Sequence, residues 1–166
     1  MNEMCKRIVL GSLGFVTTVF SLAWLVWPSD EERILTLFEE LSEIASKTDD
    51  ASALADAMVV KDFRKLFAPE VTISIRSKAR IAGEHTNQEL AQLYGRLRIA
   101  SRRMGLRHKQ LEILSIENER ASVGVKFFAS WTGKGGNVVR EEAHSEVQLT
   151  KVEGDWKVSQ IHYLKK

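Results

Sequence analysis

Hydrophobic and polar positions fall into three successive patterns. Residues 8–27 read IVLGSLGFVTTVFSLAWLVW, an apolar run without a charged side chain. As a helix such a run reaches about 30 Å, the thickness of a bilayer's hydrocarbon core. From residue 30 the pattern becomes amphipathic: Ile34, Leu37, Phe38, Leu41, Ile44 and Ala45 recur at steps of three and four, which predicts a helix capped by Ser29 or Asp30 and closed at Lys47-Thr48. A short second helix is expected over 52–59, capped by Asp50, with a further turn over 62–67 that Pro69 ends. Val71, Ile73 and Ile75 then alternate with Thr72 and Ser74 as a short strand. Thr86-Asn87-Gln88-Glu89 is a capping box, opening a helix to about residue 104 with Leu90, Leu93, Tyr94, Leu97 and Ala100 as its buried stripe and Gly105 as its stop. The third pattern is period-two alternation, giving strands over 107–116, 120–132, 138–151 and 155–164, separated by turn residues at 117–119, 133–137 and 153–154.

Helices first and strands later predict an α+β fold: N-terminal helices packed on one face of a curved antiparallel sheet, preceded by one transmembrane helix. The division is a stub and anchor over 1–29 and a folded domain over 30–166. Lys6 and Arg7 precede the apolar run, whereas Asp30, Glu31 and Glu32 follow it. The positive-inside rule therefore puts the N-terminus in the cytoplasm and the domain on the periplasmic or extracellular side of the cell (inner) membrane, single-pass through residues 8–27. Trp24 and Trp27 suit the interface, and Ser12, Thr17, Thr18 and Ser21 can bond back to helix carbonyls. The competitor is a cleaved signal peptide; the length of the run and the lack of small residues around 24–28 argue against it.

Charge narrows the function classes. Lys and Arg number 24 against 22 Asp and Glu, a net +2, which gives no case for nucleic acid. The single cysteine, Cys5, allows no internal disulfide and no cysteine metal site; it is either a free thiol or a juxtamembrane palmitoylation site. The four histidines, His85, His108, His144 and His162, lack metal-ligand spacing, so neither metal nor cofactor is expected. Arg96, Arg98, Arg102, Arg103, Arg107, His108 and Lys109 form a basic cluster at the expected end of the long helix, read as a solvated helix end or as a patch for anionic lipid or an acidic partner.

Turn positions also predict which side chains share a face. A turn at Glu153-Gly154 pairs Leu149 with Val158, Val147 with Gln160 and Ser145 with His162. A loop over 133–137 puts Val139, Glu141, Ala143 and Val147 on the same face as Ala121, Val123, Val125, Phe127, Ala129 and Trp131. The concave face is then mostly apolar, interrupted by Glu141, Ser145, Gln160 and His162, with Phe127 and Trp131 among its lining. Phe128, Ile161 and Tyr163 fall on the outer face, and His144 and His162 on opposite faces. The polar interruptions read either as orienting groups of a ligand pocket or as a satisfied core histidine with Glu141 at the rim. Glu141 lies about 13 Å along the strand from Ser145, His162's expected neighbour, which works against a Glu–His pair.

The element order resembles the nuclear transport factor 2-like, or SnoaL-like, superfamily over about residues 31–166. The stretch Phe63 to Ile73, FRKLFAPEVTI, is similar to the family's lead into its first strand, and Glu153 to Tyr163, EGDWKVSQIHY, to its last. Gly83 before the capped helix at Thr86 also fits. The resemblance implies a cystatin-like cone with a pocket between sheet and helices, and a domain that commonly dimerises through its sheet. It implies no single reaction, since members include isomerases, dehydratases, hydrolases and non-enzymes. The expectation is a membrane-tethered, non-enzymatic binding or interaction domain, holding a small apolar ligand in the concavity or forming a homodimer through the sheet. The alternative is an isomerase, dehydratase or hydrolase with His162 or Glu141 as general base.

Overall fold

The computed structural model describes residues 28–48, 52–75 and 82–164. The chain divides at Arg33 into an N-terminal unit, described over 28–33, and the unit Ile34–Lys166. The apolar run 8–27 lies outside the described residues. Among the described residues no helix is long and apolar enough to cross a membrane.

The elements run α1 (Asp30–Ile44), α2 (Ala53–Lys65), β1 (Phe67–Ile75), β2 (Gly83–Thr86), α3 (Asn87–Ala100), β3 (Ser101–Glu117), β4 (Arg120–Gly133), β5 (Val138–Val152) and β6 (Asp155–Leu164). The strands form one sheet in the order β2-β1-β6-β5-β4-β3. β1 pairs parallel with β6 and every other neighbour is antiparallel. The α+β class holds, and the four long strands are the expected meander.

α1 opens with a reciprocal cap: the Glu32 amide donates to Ser29 Oγ at 3.1 Å, and the Ser29 amide to Glu32 Oε2 at 2.9 Å. Its apolar stripe, Ile34, Leu37, Phe38 and Leu41, is buried as the periodicity requires. The pieces expected at 52–59 and 62–67 are one continuous α2, capped by Ser52, whose side chain accepts from Ala55. Neither Gly nor Pro interrupts 53–65, and Phe63 stacks on Tyr94 of α3 at 4.1 Å, so packing carries the helix through. Asp50, the expected cap, lies outside the described residues. β1 begins four residues earlier than its alternation suggested, and Pro69 sits within its register irregularity against β6, where a missing donor is tolerated. β2, a short strand with little apolar character, was not expected.

The larger departure is at α3. Its Thr86–Glu89 capping box is present, but the helix ends at Ala100 instead of near 104. Ser101 and Arg103 already pair with β4, and Met104 exchanges two hydrogen bonds with Lys47. The β4 ladder on one side and the isolated Lys47 bridge on the other outweigh local helix preference here. The basic cluster is thereby divided: Arg102, Arg103 and Arg107 lie on β3, and Arg98 turns inward.

The core lies between α1, α2, α3 and the inner face of the sheet. Phe38, Ile34, Val123, Val147, Leu149, Val158 and Val71 are its largest fully buried side chains. Trp156 is buried with them, and the Lys151 ammonium lies 4.8 Å above its ring centre.

Candidate functional site

Directly opposed residues in neighbouring strands share a face, so the pairing lays out the inner face as rows. Ile113, Val123, Val147, Ile161 and Ile73 form one row, and Leu111, Val125, Ser145 and Tyr163 the next. α1 covers these rows with Phe38, Leu37 and Leu41, and this part of the concavity is filled. Further along the same strands come His108, Phe127 and Ala143, then Leu106, Ala129 and Glu141, then Met104, Trp131 and Val139. Here the side chains are half-buried or exposed, Val139 being 36% exposed. They make an apolar shelf at the edge of the filled core. Phe127 joins the two parts, its ring 6.2 Å from that of Phe38.

The β4–β5 register is the one the sequence predicts, so Phe127 and Trp131 face inward. Glu141 also faces inward beside Ala129, exposed at the shelf's rim. Ser145 is buried opposite Val125. The β5–β6 register departs from expectation. Leu149 pairs with Val158 as predicted, but Ser159 is a bulge, and Gln148 then pairs with Gln160, Val147 with Ile161 and Glu146 with His162. One inserted residue exchanges the two faces beyond it. Gln160 and His162 therefore lie on the outer face instead of the concave one, and Ile161 and Tyr163 lie inside instead of outside. His144 and His162 share the outer face rather than lying on opposite ones. The apolar residues of β6 carry the signal, since Trp156, Val158, Ile161 and Tyr163 step by two, three and two.

The outer face is polar. Ser122 Oγ donates to Glu146 Oε1 at 2.9 Å, and Gln148 Nε2 donates to both, at 3.1 and 2.9 Å. Gln148, Gln160, His162, Arg120, Ser159 and Thr150 line a groove of about 500 Å³ there. Lys126 pairs with Glu142 beside it.

A histidine missed by sequence reasoning lies on the inner face. Bulges at Lys109 and Leu114 reset β3 so that Leu106, His108, Leu111, Ile113 and Ile116 all face inward. His108 is half-buried opposite Phe127, and its Nδ1 lies 3.2 Å from Ser42 Oγ on α1. Ser42 Oγ is also 2.9 Å from the Phe38 carbonyl oxygen, to which it donates.

The helices are joined by a buried charge network. Arg98, 3% exposed, donates from Nε and Nη2 to Asp56 Oδ1 at 3.1 and 2.8 Å. Its Nη1 donates to the Ser46 carbonyl at 2.9 Å and to Tyr94 Oη at 2.6 Å, and Tyr94 donates in turn to the Ile44 carbonyl. Lys47 Nζ completes the set on Asp56 Oδ2 at 2.9 Å and the Arg98 carbonyl at 2.8 Å. Burial raises the pKa of Asp56, but the hydrogen bonds and positive charges of Lys47 and Arg98 outweigh it and hold the carboxyl below its ordinary value. Burial raises that of the Tyr94 hydroxyl. Every polar atom of this cluster is engaged in joining α1, α2 and α3, and it reads as a clamp. Among the described residues no group of His, Cys, Asp and Glu is placed to hold a metal ion.

The model of the SnoaL-like domain family matches residues 37–162. The chain belongs to that family. No curated protein matches it. Among solved structures, the SnoaL-like domain is similar to a candidate aromatic ring hydroxylase from Novosphingobium aromaticivorans, at 13% identity and TM-score 0.62 over 84% of this chain and 94% of that one. It is similar to a candidate dehydratase of the nuclear transport factor 2-like family from Streptomyces avermitilis, at 12% identity and TM-score 0.61 over 81% and 94% of the two chains. The association domain of CaMKII from C. elegans matches at 12% identity and TM-score 0.56, over 81% of this chain and 95% of that one. At such identities the likeness shows the cystatin-like fold alone.

Proposed function

We propose that this SnoaL-like domain is a membrane-tethered binding domain that receives a small apolar ligand on the inner-face shelf formed by Trp131, Phe127, Leu106 and Met104. The observation that carries the reading is the change along one sheet face from fully buried core to half-buried apolar side chains, with Leu106 and Phe127 packed against the core on one side and exposed Val139 and Glu141 at the edge. The tether is read from the hydropathy of residues 8–27 alone.

Of the two candidate bases, His162 lies on the outer face, away from the shelf, and Glu141 stands exposed at its rim, which supports binding as the leading reading. Self-association through the outer face keeps Phe128, which faces outward opposite Glu142 as expected, but loses support from Ile161 and Tyr163, which face inward, so it would rest largely on polar contacts around Glu142, Glu146 and Gln148.

The full chain in lipid nanodiscs would be titrated with naphthalene and similar apolar compounds while its melting temperature is followed. A ligand at a hundred times its Kd adds about 2.7 kcal/mol, enough for a shift of several degrees. Trp131→Phe assigns the accompanying fluorescence change to the shelf. An unchanged melting temperature and an unchanged Trp131 signal across the series would reject the proposal.

A further inference from the structure

We infer that the shelf selects apolar ligands bearing a hydroxyl donor, such as phenols, and that His108 Nε2 is the atom that accepts it. The inference rests on the shelf being the ligand site.

The argument follows the protons. A serine hydroxyl has one hydrogen, and that of Ser42 is committed to the Phe38 carbonyl at 2.9 Å. Ser42 Oγ therefore meets His108 Nδ1, 3.2 Å away, as an acceptor, and the hydrogen between them belongs to the ring. In the neutral imidazole a hydrogen on Nδ1 leaves Nε2 with a bare lone pair. Among the described residues nothing donates to it. The carbonyl and the hydroxyl both belong to α1, a rigid element pinned in the core by Ile34 and Phe38, so the ring is held in one orientation and one tautomer.

The surroundings set the rest of the ligand's chemistry. His108 sits opposite Phe127, with Leu106 next along its own strand, where the filled core gives way to the shelf. A ring or chain lying on Leu106, Phe127 and Trp131 needs apolar surface, and the imidazole rewards one hydrogen-bond donor at its inner end. A ligand with only acceptors there meets a lone pair and is disfavoured.

The test compares 2-naphthol with naphthalene, which differ in that hydroxyl alone, using the full chain in nanodiscs. The expected result is an affinity about tenfold higher for 2-naphthol. The preference should vanish in His108→Phe while naphthalene affinity is kept, and should shrink in Ser42→Ala. Nitrogen-15 shifts of His108 in the unsubstituted protein should show hydrogen on Nδ1 and a bare Nε2 that moves on adding 2-naphthol but not naphthalene. This readout stands even if a variant fails to fold. Equal affinity for the two compounds, or hydrogen on Nε2, overturns the inference and leaves the binding site intact. Absence of binding by both overturns the site and the inference together.

Discussion

Two stretches of the same sheet face differ sharply. Where α1 lies on β3–β6, the rows through Val123 and Val125 are closed by Phe38, Leu37 and Leu41. A few residues along the same strands, around Trp131 and Met104, the side chains are only half-buried, and Val139 is exposed. The alternation of β3, β4 and β5 continues through both stretches, but β6 ends opposite His144, so the second stretch is three strands wide where the first is five. The core lies where five strands and α1 meet, and the candidate binding surface where the sheet narrows to three strands, while the clamp around Arg98 fastens the end of α1 through the Ile44 and Ser46 carbonyls.

The contrast can be broken from the closed side first. Phe38→Ala should cost about 3–5 kcal/mol, since it opens a cavity beneath Phe127 that packing cannot refill, and chemical denaturation would read it. Arg98→Ala should cost about 3 kcal/mol by leaving Asp56 half-buried with one partner fewer, and should loosen the end of α1, visible as faster amide exchange at Ser46 and Lys47. Asp56 predicts a pH dependence of the same clamp. Its folded pKa is depressed, so its contribution is present above the unfolded value near about 3.9 and is lost as pH falls through the lower folded value. Asp56→Asn should flatten that acid limb of stability. On the open side, Trp131→Ala should cost clearly less than Phe38→Ala, about 1–2 kcal/mol for a half-buried ring, while abolishing the apolar fluorescence response. A large loss there would mean that the shelf is core, and the contrast would dissolve.

Much of the fold was legible in the sequence because periodicity and turn chemistry agreed. α1, the capping box at Thr86 and the β4–β5 register all followed from apolar spacing with a matching cap or turn. The failures have physical causes. At Ser101 to Met104 pairing with β4, together with a single bridge to Lys47, overrode a helix-compatible sequence. In α3, Arg98 took the buried place expected of Leu97, because Asp56, distant in sequence, satisfies its charge. In β6 and β3 single-residue bulges moved His162 out and His108 in. A bulge leaves only a faint trace, an apolar step of three where two is regular, and that trace gains meaning once the partner strand is known.

β6 is the last strand to be synthesised, yet it lies in the middle of the sheet, parallel to β1 and antiparallel to β5. Until Asp155–Leu164 has left the ribosome, β1–β2 and β3–β5 are two separate ribbons, each with a bare edge and an unsealed apolar side. Before that segment arrives the facing edges of β1 and β5 have no partner within the sheet, and during translation they are open to pairing with other chains.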